Sequence, residues 1–394
     1  MEAVFHDWIS LFVRWAHIIA AIGWIGSSFY FMGLDYSLRK RKGMEDDKVG
    51  DTWQVHGGGF YHMVKYKVAP EHMPEELTWF KWESYSTWMT GFAMMAVTYY
   101  WGAKGLLIDR SVADLPVPVA ILLSAGSLVA GWFLYDGLCK SALRHRPAVM
   151  FAVLYVALVF AAWAFGQVFS ARAAWLHIGA VIATMMSGNV FLVIIPNQRI
   201  VVEDLKAGRA PEAKYGQIAK LRSTHNNYLT LPVVLMMVSN HYPMAFGHPY
   251  SWVLIGFILV IGAVVRHWFN MHEQGRHGAI MKWQWPLATV LAIGMMWFSS
   301  WRPGQAAAEV APQAAMAVVS KHCAMCHAAT PTHEGFEEAP GGVAFDTLPE
   351  IRAHASKMLA QAVLSNTMPL GNETGMTPDE RATLGAWLRA GAPE

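Results

Sequence analysis

Eight stretches of about 20 mostly apolar residues recur along this chain, each long enough to cross about 30 Å of hydrocarbon. They lie near residues 8–34, 86–104, 116–138, 148–169, 174–196, 226–243, 251–270 and 284–301. A chain so patterned has to satisfy its backbone groups inside helices, so an all-α membrane bundle is expected. Composition agrees: 54% of residues are hydrophobic and 15% charged, against about 25% charged in soluble domains. The net charge of +2 gives no reason to expect a nucleic-acid partner.

The first apolar run is too long for a signal-peptide core and ends in Arg39-Lys40-Arg41-Lys42 without a small-residue cleavage site, so it reads as a retained helix. Beyond residue 301 the pattern changes. Residues 302–312 (RPGQAAAEVAP) read as a linker, and residues 313–394 as a small soluble domain. The expected organisation is a membrane domain over 1–301, the linker, and that C-terminal domain.

Basic residues crowd into alternate loops. Arg39 to Lys42, Lys48, Lys65, Lys67 and Lys81 lie in the first; Lys140, Arg144 and Arg146 in the third. Arg199, Lys206, Arg209, Lys214, Lys220 and Arg222 lie in the fifth, and Arg276 and Lys282 in the seventh. The other loops hold only Lys104, Arg110 and Arg172, with Arg302 beyond the last helix. The positive-inside rule then makes the odd loops cytoplasmic and places both termini outside. Internal similarity suggests two four-helix repeats of one orientation. Residues 14–32 align with 174–192, superposing Trp15 on Trp175, His17 on His177 and Ser27 on Ser187. Further matches follow in order: 85–90 with 225–230, Trp132-Phe133 with Trp268-Phe269, and Trp163 with Trp297.

Of three cysteines, Cys139 ends an apolar segment and reads as a small buried residue, while Cys323 and Cys326 belong to His-Cys-Ala-Met-Cys-His. C-x-x-C-H is the attachment signature of haem c. Two thiols three apart on a helix face the same way and can each form a thioether, and His327 then supplies the axial nitrogen. A zinc site would need a second ligand pair that the chain does not offer. Met368, about forty residues on in a polar loop, is the expected distal ligand. Covalent haem c is attached on the outer side of a bacterial membrane, which agrees with the charge-derived topology. Thr377-Pro378-Asp379-Glu380 opens a final helix expected to pack on the one carrying Cys323.

Ionisable and amide side chains within apolar segments are costly and suggest function. Arg14, His17, His177, Asn240 and His241 lie towards the outer face. Ser27, Asn189, Asn197, Gln198, Arg199, His225, Asn226, Asn227, Arg266, His267 and His272 lie towards the inner one. The first loop adds His56-Gly57-Gly58-Gly59 and His62, where glycines let backbone approach a ligand or fold back as a lid. The bland readings are satisfied helix–helix hydrogen bonds and arginines snorkelling to the interface. His17 and His177 on equivalent helices form the kind of pair that could hold a second, non-covalent haem b.

An eight-helix domain with RWAHIIAAIGWIGSSFYF, VHGGGFYH, SGNVFLVIIPNQR, STHNNYLTLPV and SNHYP, fused to CAMCH, resembles the bacterial membrane-bound urate oxidases that carry a cytochrome c domain. The helix opening RWAH is also similar to the first helix of small membrane haem proteins related to protoporphyrinogen oxidase, which implies a haem ligand at His17. The resemblance implies oxidation of urate and water to 5-hydroxyisourate without hydrogen peroxide. Electrons would leave through one covalent haem c to a soluble or membrane acceptor of the respiratory chain. It implies an inner-membrane protein whose N-terminus and cytochrome domain face the periplasm. Within that reading Asn197, Arg199, Asn226 and Asn227 bind urate, and His225 or His56 is the general base. Urate gives up two electrons while haem c takes one at a time, so His17 and His177 are placed to hold a relay or move protons. Two rivals stand beside this reading: an electron-transfer subunit without substrate chemistry, and a transporter with a redox appendix.

Overall fold

The computed structural model describes residues 2–71, 73–274, 282–301 and 310–393. Arg276, Arg302 and residues 302–309 of the expected linker lie outside them. The first long helix, α1 (Glu2–Ser37), rises about 54 Å at 1.5 Å per residue. It is followed by a β-hairpin, α2 (Trp82–Met95, continued by a π-helical turn Ala96–Tyr100), α3 (Val117–Lys140) and α4 (Pro147–Phe165). Next come α5 (Ala171–Gly188), a π-helical turn Asn189–Ile194, α6 (Ile195–Lys206), α7 (Ala213–Ser239), the short α8 (Pro243–Phe246), α9 (Ser251–Glu273) and α10 (Gln284–Ser300).

Among the described residues five spans are long and apolar enough to cross a membrane: Val4–Ser37, Val117–Lys140, Pro147–Phe165, Ala171–Lys206 and Ser251–Glu273. The other three expected crossings fall short for visible reasons. The α-helical part of α2 is 14 residues, α10 is 17, and α7 spends its N-terminal half on polar residues. Packing is inside out relative to a soluble protein. Phe12, Ile22, Leu122, Phe133, Val156 and Trp297 face outwards, while Asp136, Asn189, Arg222, Asn227 and Arg266 are buried. Such an inversion is what a bundle with lipid as its solvent would require. An apolar core of Met95, Tyr99, Leu128, Trp132, Ile178, Met236 and Ile255 surrounds the buried polar groups. α1 packs on α2 as α5 packs on α7, and α5 meets α3 as α1 meets α9.

The expectation of an all-α chain is corrected by the hairpin. β1 (Lys48–His56) pairs antiparallel with β2 (Gly59–Tyr66), and Gly57 and Gly58 form the turn at φ +58° and +78°. Two positive φ values in a two-residue loop are what the strand twist requires, and glycine meets them without strain. Trp53 stacks on His62 across the strands at 4.3 Å, and Asp51 accepts from His62 at 2.8 Å. Arg41 and His62 beside Asp51 hold its carboxyl below the usual carboxylate range.

The C-terminal residues have their own apolar core, including Ala315, Val319, Ile351, Leu384 and Trp387. It is built from α11 (Pro312–His322), α12 (Leu348–Ala353), α13 (Ala355–Met358) with a π-helical turn Leu359–Leu364, and α14 (Pro378–Arg389). Thr377 and Glu380 form a reciprocal capping box at the start of α14, which packs on α11 as its sequence led one to expect. This unit meets the end of the bundle opposite the hairpin. Arg110 donates its backbone N–H to Gly371 O at 3.3 Å, Gly247 packs on the backbone of Ser365, and a Cβ on Gly105 would lie 2.6 Å from Leu370 Cγ. The segment 364–372, which contains Met368, is thus the part that docks.

Candidate functional site

His225, Asn226 and Asn227 are consecutive on α7, and successive helical residues point about 100° apart. They therefore face three different neighbours. His225 Nδ1 bonds Tyr135 Oη at 2.8 Å, and its buried Nε2 has no protein partner. Asn226 donates to Met186 O at 3.0 Å and accepts from Asn189. Asn227 accepts from Asn270 Nδ2 at 2.8 Å, and its own Nδ2 is buried without a partner. On α6, Asn197 is half-buried and Arg199 exposed, so neither joins these groups. His56 is exposed at the hairpin tip, opposite Gly59. The urate and general-base sets expected from sequence do not converge as one site.

One polar network is closed on itself. Arg222 is only 3% exposed and donates to Asp136 at 2.5 Å and to Asn189 Oδ1 at 3.0 Å. Asn189 donates in turn to Tyr135 Oη and Asn226 Oδ1, each at 2.8 Å. Asn189 also begins the π-helical turn after α5, a local widening often found at functional sites. Sequence reading assigned Arg222 to a basic loop. The available signal was Asp136, a lone acid near the end of an otherwise apolar segment.

A second cluster is open. Arg266 is 3% exposed, yet its Nε and Nη2 have no partner. Asn270 Oδ1, Gln284 Oε1 and Glu273 Oε2 are likewise buried and unpaired. Arg266, Asn270 and Glu273 recur at i, i+4 and i+7 on α9, which puts them on one helix face. The guanidinium lies 4.2 Å over the Phe29 ring of α1. Unsatisfied buried polar groups are rare and call for an explanation. Asn270, Glu273 and Gln284 were missed because amides and a helix-end acid look ordinary until three-dimensional neighbours show them unpaired.

Between these networks and the opposite end runs a cavity of about 380 Å³ lined by His17, Trp24, Trp88, Gly91, Asn226 and His241. His17 Nδ1 is held by Thr87 O and Thr90 Oγ1, both at 3.1 Å. His177 does not line this cavity. Its two ring nitrogens are engaged by Ser124 Oγ at 2.5 Å and Ala173 O at 2.6 Å, and its ring stacks on Phe169. The expected His17–His177 pair is therefore not assembled.

In the C-terminal unit the CAMCH segment follows directly from α11. His327 Nδ1 donates to Val343 O at 2.7 Å, which leaves Nε2 outside that bond and able to act as a ligand. Cys323 and Met368 pack against the same apolar core. Burial pushes the Cys323 thiol up to about 12 and also raises Cys326. The backbone of Met368 is fixed by Arg381 Nη1 on its carbonyl at 2.6 Å and by its N–H to Gln361 O at 3.0 Å. Among the described residues no group of three or more His, Cys, Asp or Glu is placed to hold a metal ion.

The profile of the urate oxidase N-terminal family matches residues 3–299. This chain belongs to the urate oxidase N-terminal family. No curated protein and no solved structure matches the chain. The urate oxidase match runs from α1 through α10 and so contains both polar networks and the His17 cavity. It ends before α11, so the CAMCH unit is an addition to the urate oxidase region rather than part of what defines it.

Proposed function

We propose that this protein is a membrane-bound oxidoreductase that converts urate and water to 5-hydroxyisourate. The reaction releases two electrons and two protons, the electrons leaving through haem c held by Cys323, Cys326, His327 and Met368. The observation that carries this reading is the joining, in one chain, of a urate oxidase body to a Cys-Cys-His-Met donor set on the unit docked against it. When bound, haem c supplies a one-electron carrier that a soluble or membrane acceptor of the respiratory chain can reoxidise. The donor set fits it: Val343 fixes the His327 ring, and Arg381 and Gln361 fix the Met368 loop.

The body's own residues supply binding and proton handling. Buried amides and guanidinium suit a planar anion with many donors and acceptors. His225, oriented by Tyr135 with Nε2 unpartnered, can hold a proton released by urate or water. The His17 cavity reaches from Asn226 towards the end that carries the C-terminal unit, where a one-electron relay is useful. A haem b shared by His17 and His177 does not fit the hydrogen bonds of His177. An eight-crossing inner-membrane bundle, with N-terminus and cytochrome unit in the periplasm, completes the reading. It is supported by the C-terminal unit lying at the end of the bundle where His6 of α1 meets Val97.

The test is anaerobic turnover of purified protein with urate and ferricytochrome c. Urate loss with two equivalents of acceptor reduced and no hydrogen peroxide is expected. Acceptor-independent urate loss that consumes oxygen and forms peroxide would overturn the reading.

A further inference from the structure

We infer that urate is held by Arg266, Asn227 and Asn270, with Gln284 and Glu273 at the same end of the bundle completing its rim. This rests on the urate reading and gives it a place between α1, α7, α9 and the start of α10.

The buried arginines are unequally satisfied. Three arginines among the described residues are buried: Arg222, Arg266 and Arg381. Arg222 is paired with Asp136 and bonded to Asn189, and Arg381 donates to the carbonyls of Ala362 and Met368 and to Asn372 Oδ1. Arg266 alone of the three has two nitrogens without an acceptor, and among the described residues it joins no ion pair. A buried guanidinium strongly prefers a counter-charge. Glu273 is near enough to act on it electrostatically, yet Glu273 Oε2 is itself unpaired. Neither satisfies the other, so both are open to a third partner.

The chemistry of the unpaired atoms defines that partner. Arg266 Nε and Nη2 and Asn227 Nδ2 are donors. Asn270 Oδ1, Gln284 Oε1 and Glu273 Oε2 are acceptors. A simple anion such as phosphate would satisfy the donors and leave the acceptors unmet. The urate monoanion alternates N–H donors and carbonyl acceptors around a flat rim, which answers both kinds. The Arg266 fork can take an anionic edge with two parallel bonds. The Asn270-to-Asn227 bond at 2.8 Å fixes which atoms of that amide pair remain free. α1 closes the side: Phe29 lies under the guanidinium, and a Cβ at Gly33 would stand 3.4 Å from Glu273 Oε1. By contrast Arg199 is exposed, and Asn226 is spent on Asn189 and Met186.

The experiment is urate binding to full-length, haem-loaded protein in detergent, held anaerobic without acceptor. Binding is read by equilibrium dialysis and by the rise of Tm with added urate, and xanthine serves as the comparison ligand. Arg266→Gln is expected to weaken urate binding about tenfold to hundredfold, the loss typical of charge-assisted bonds. Arg199→Gln is expected to bind as the parent does. Asn270→Asp guards against simple misfolding. It places a carboxylate one turn from Arg266, so its Tm without ligand should rise while urate binding falls. A structural role for these residues would not separate stability from binding in that way. Parent protein that binds urate, with Arg266→Gln and Asn270→Asp unchanged in affinity, would overturn the placement. Parent protein that shows no preference for urate over xanthine and no urate-driven haem reduction would overturn the urate reading itself.

Discussion

Asp136 is the residue whose loss the bundle should tolerate least, and the reason can be worked from its two partners. Arg222 Nη2 meets one oxygen at 2.5 Å with its side chain 3% exposed, and Lys140 Nζ meets the other at 2.6 Å with its side chain 73% exposed. Asp136→Asn keeps the shape and removes the charge. Arg222 is then a buried cation left with the neutral Asn189 Oδ1 at 3.0 Å and the rings of Trp132 and Tyr135. Leaving one member of a buried pair uncompensated costs about 3–5 kcal/mol, roughly a hundredfold to several thousandfold in the folding equilibrium. Lys140→Ala removes only the solvent-facing partner and should cost about 1 kcal/mol or less. The double change Asp136→Leu with Arg222→Met should recover much of the loss, because the unmet charge is gone. Reversible unfolding in mixed micelles, followed by circular dichroism, measures all three. If Asp136→Asn costs no more than Lys140→Ala, the pair is not buried as described and the reasoning fails.

Three further outcomes follow from the same geometry. Lys321 at 2.8 Å, the Thr377 backbone and His322 at 3.1 Å hold the Glu380 carboxyl well below the usual carboxylate range. A depressed folded value means stability that is present above the ordinary value of 4.5 and is lost as pH falls through the folded one. Acid unfolding of the C-terminal core should therefore lose its dependence on this group in Glu380→Gln, which would be checked by fluorescence of the buried Trp387. Gly58→Val forces a β-branched residue to φ +78° and should destabilise the hairpin by about 1–2 kcal/mol, seen as faster hydrogen exchange over 48–66. Gly105→Leu must push Leu370 away and should slow urate-driven reduction of the haem while leaving dithionite reduction unchanged.

Much of the architecture was legible because long apolar helices leave a coarse trace in sequence. Long apolar runs marked α1, α3, α4, α5 and α9, and the CAMCH spacing with Met368 marked the C-terminal unit. The hairpin was legible in principle from Gly57-Gly58 between two short runs that hold Val, Thr and Trp on one side and Phe, Tyr and Val on the other, although neither run is long enough to register as an apolar segment of about 20 residues. The site was harder, for a geometric reason. A list of polar residues near one face does not say which way each points, and on α7 three neighbours in sequence diverge to Tyr135, Met186 and Asn270. Sequence put Arg222 in a basic loop and Arg266 inside an apolar segment, yet both are buried and their partners separate them: one saturated, one open.

The most direct measurement is an anaerobic absorption spectrum of the purified, air-oxidised protein before and after urate, with dithionite as the full-reduction reference. Urate alone is expected to bring up the α-band of reduced haem c. A spectrum unmoved by urate, in protein that dithionite reduces normally, would contradict it and leave a haem protein without urate chemistry of its own.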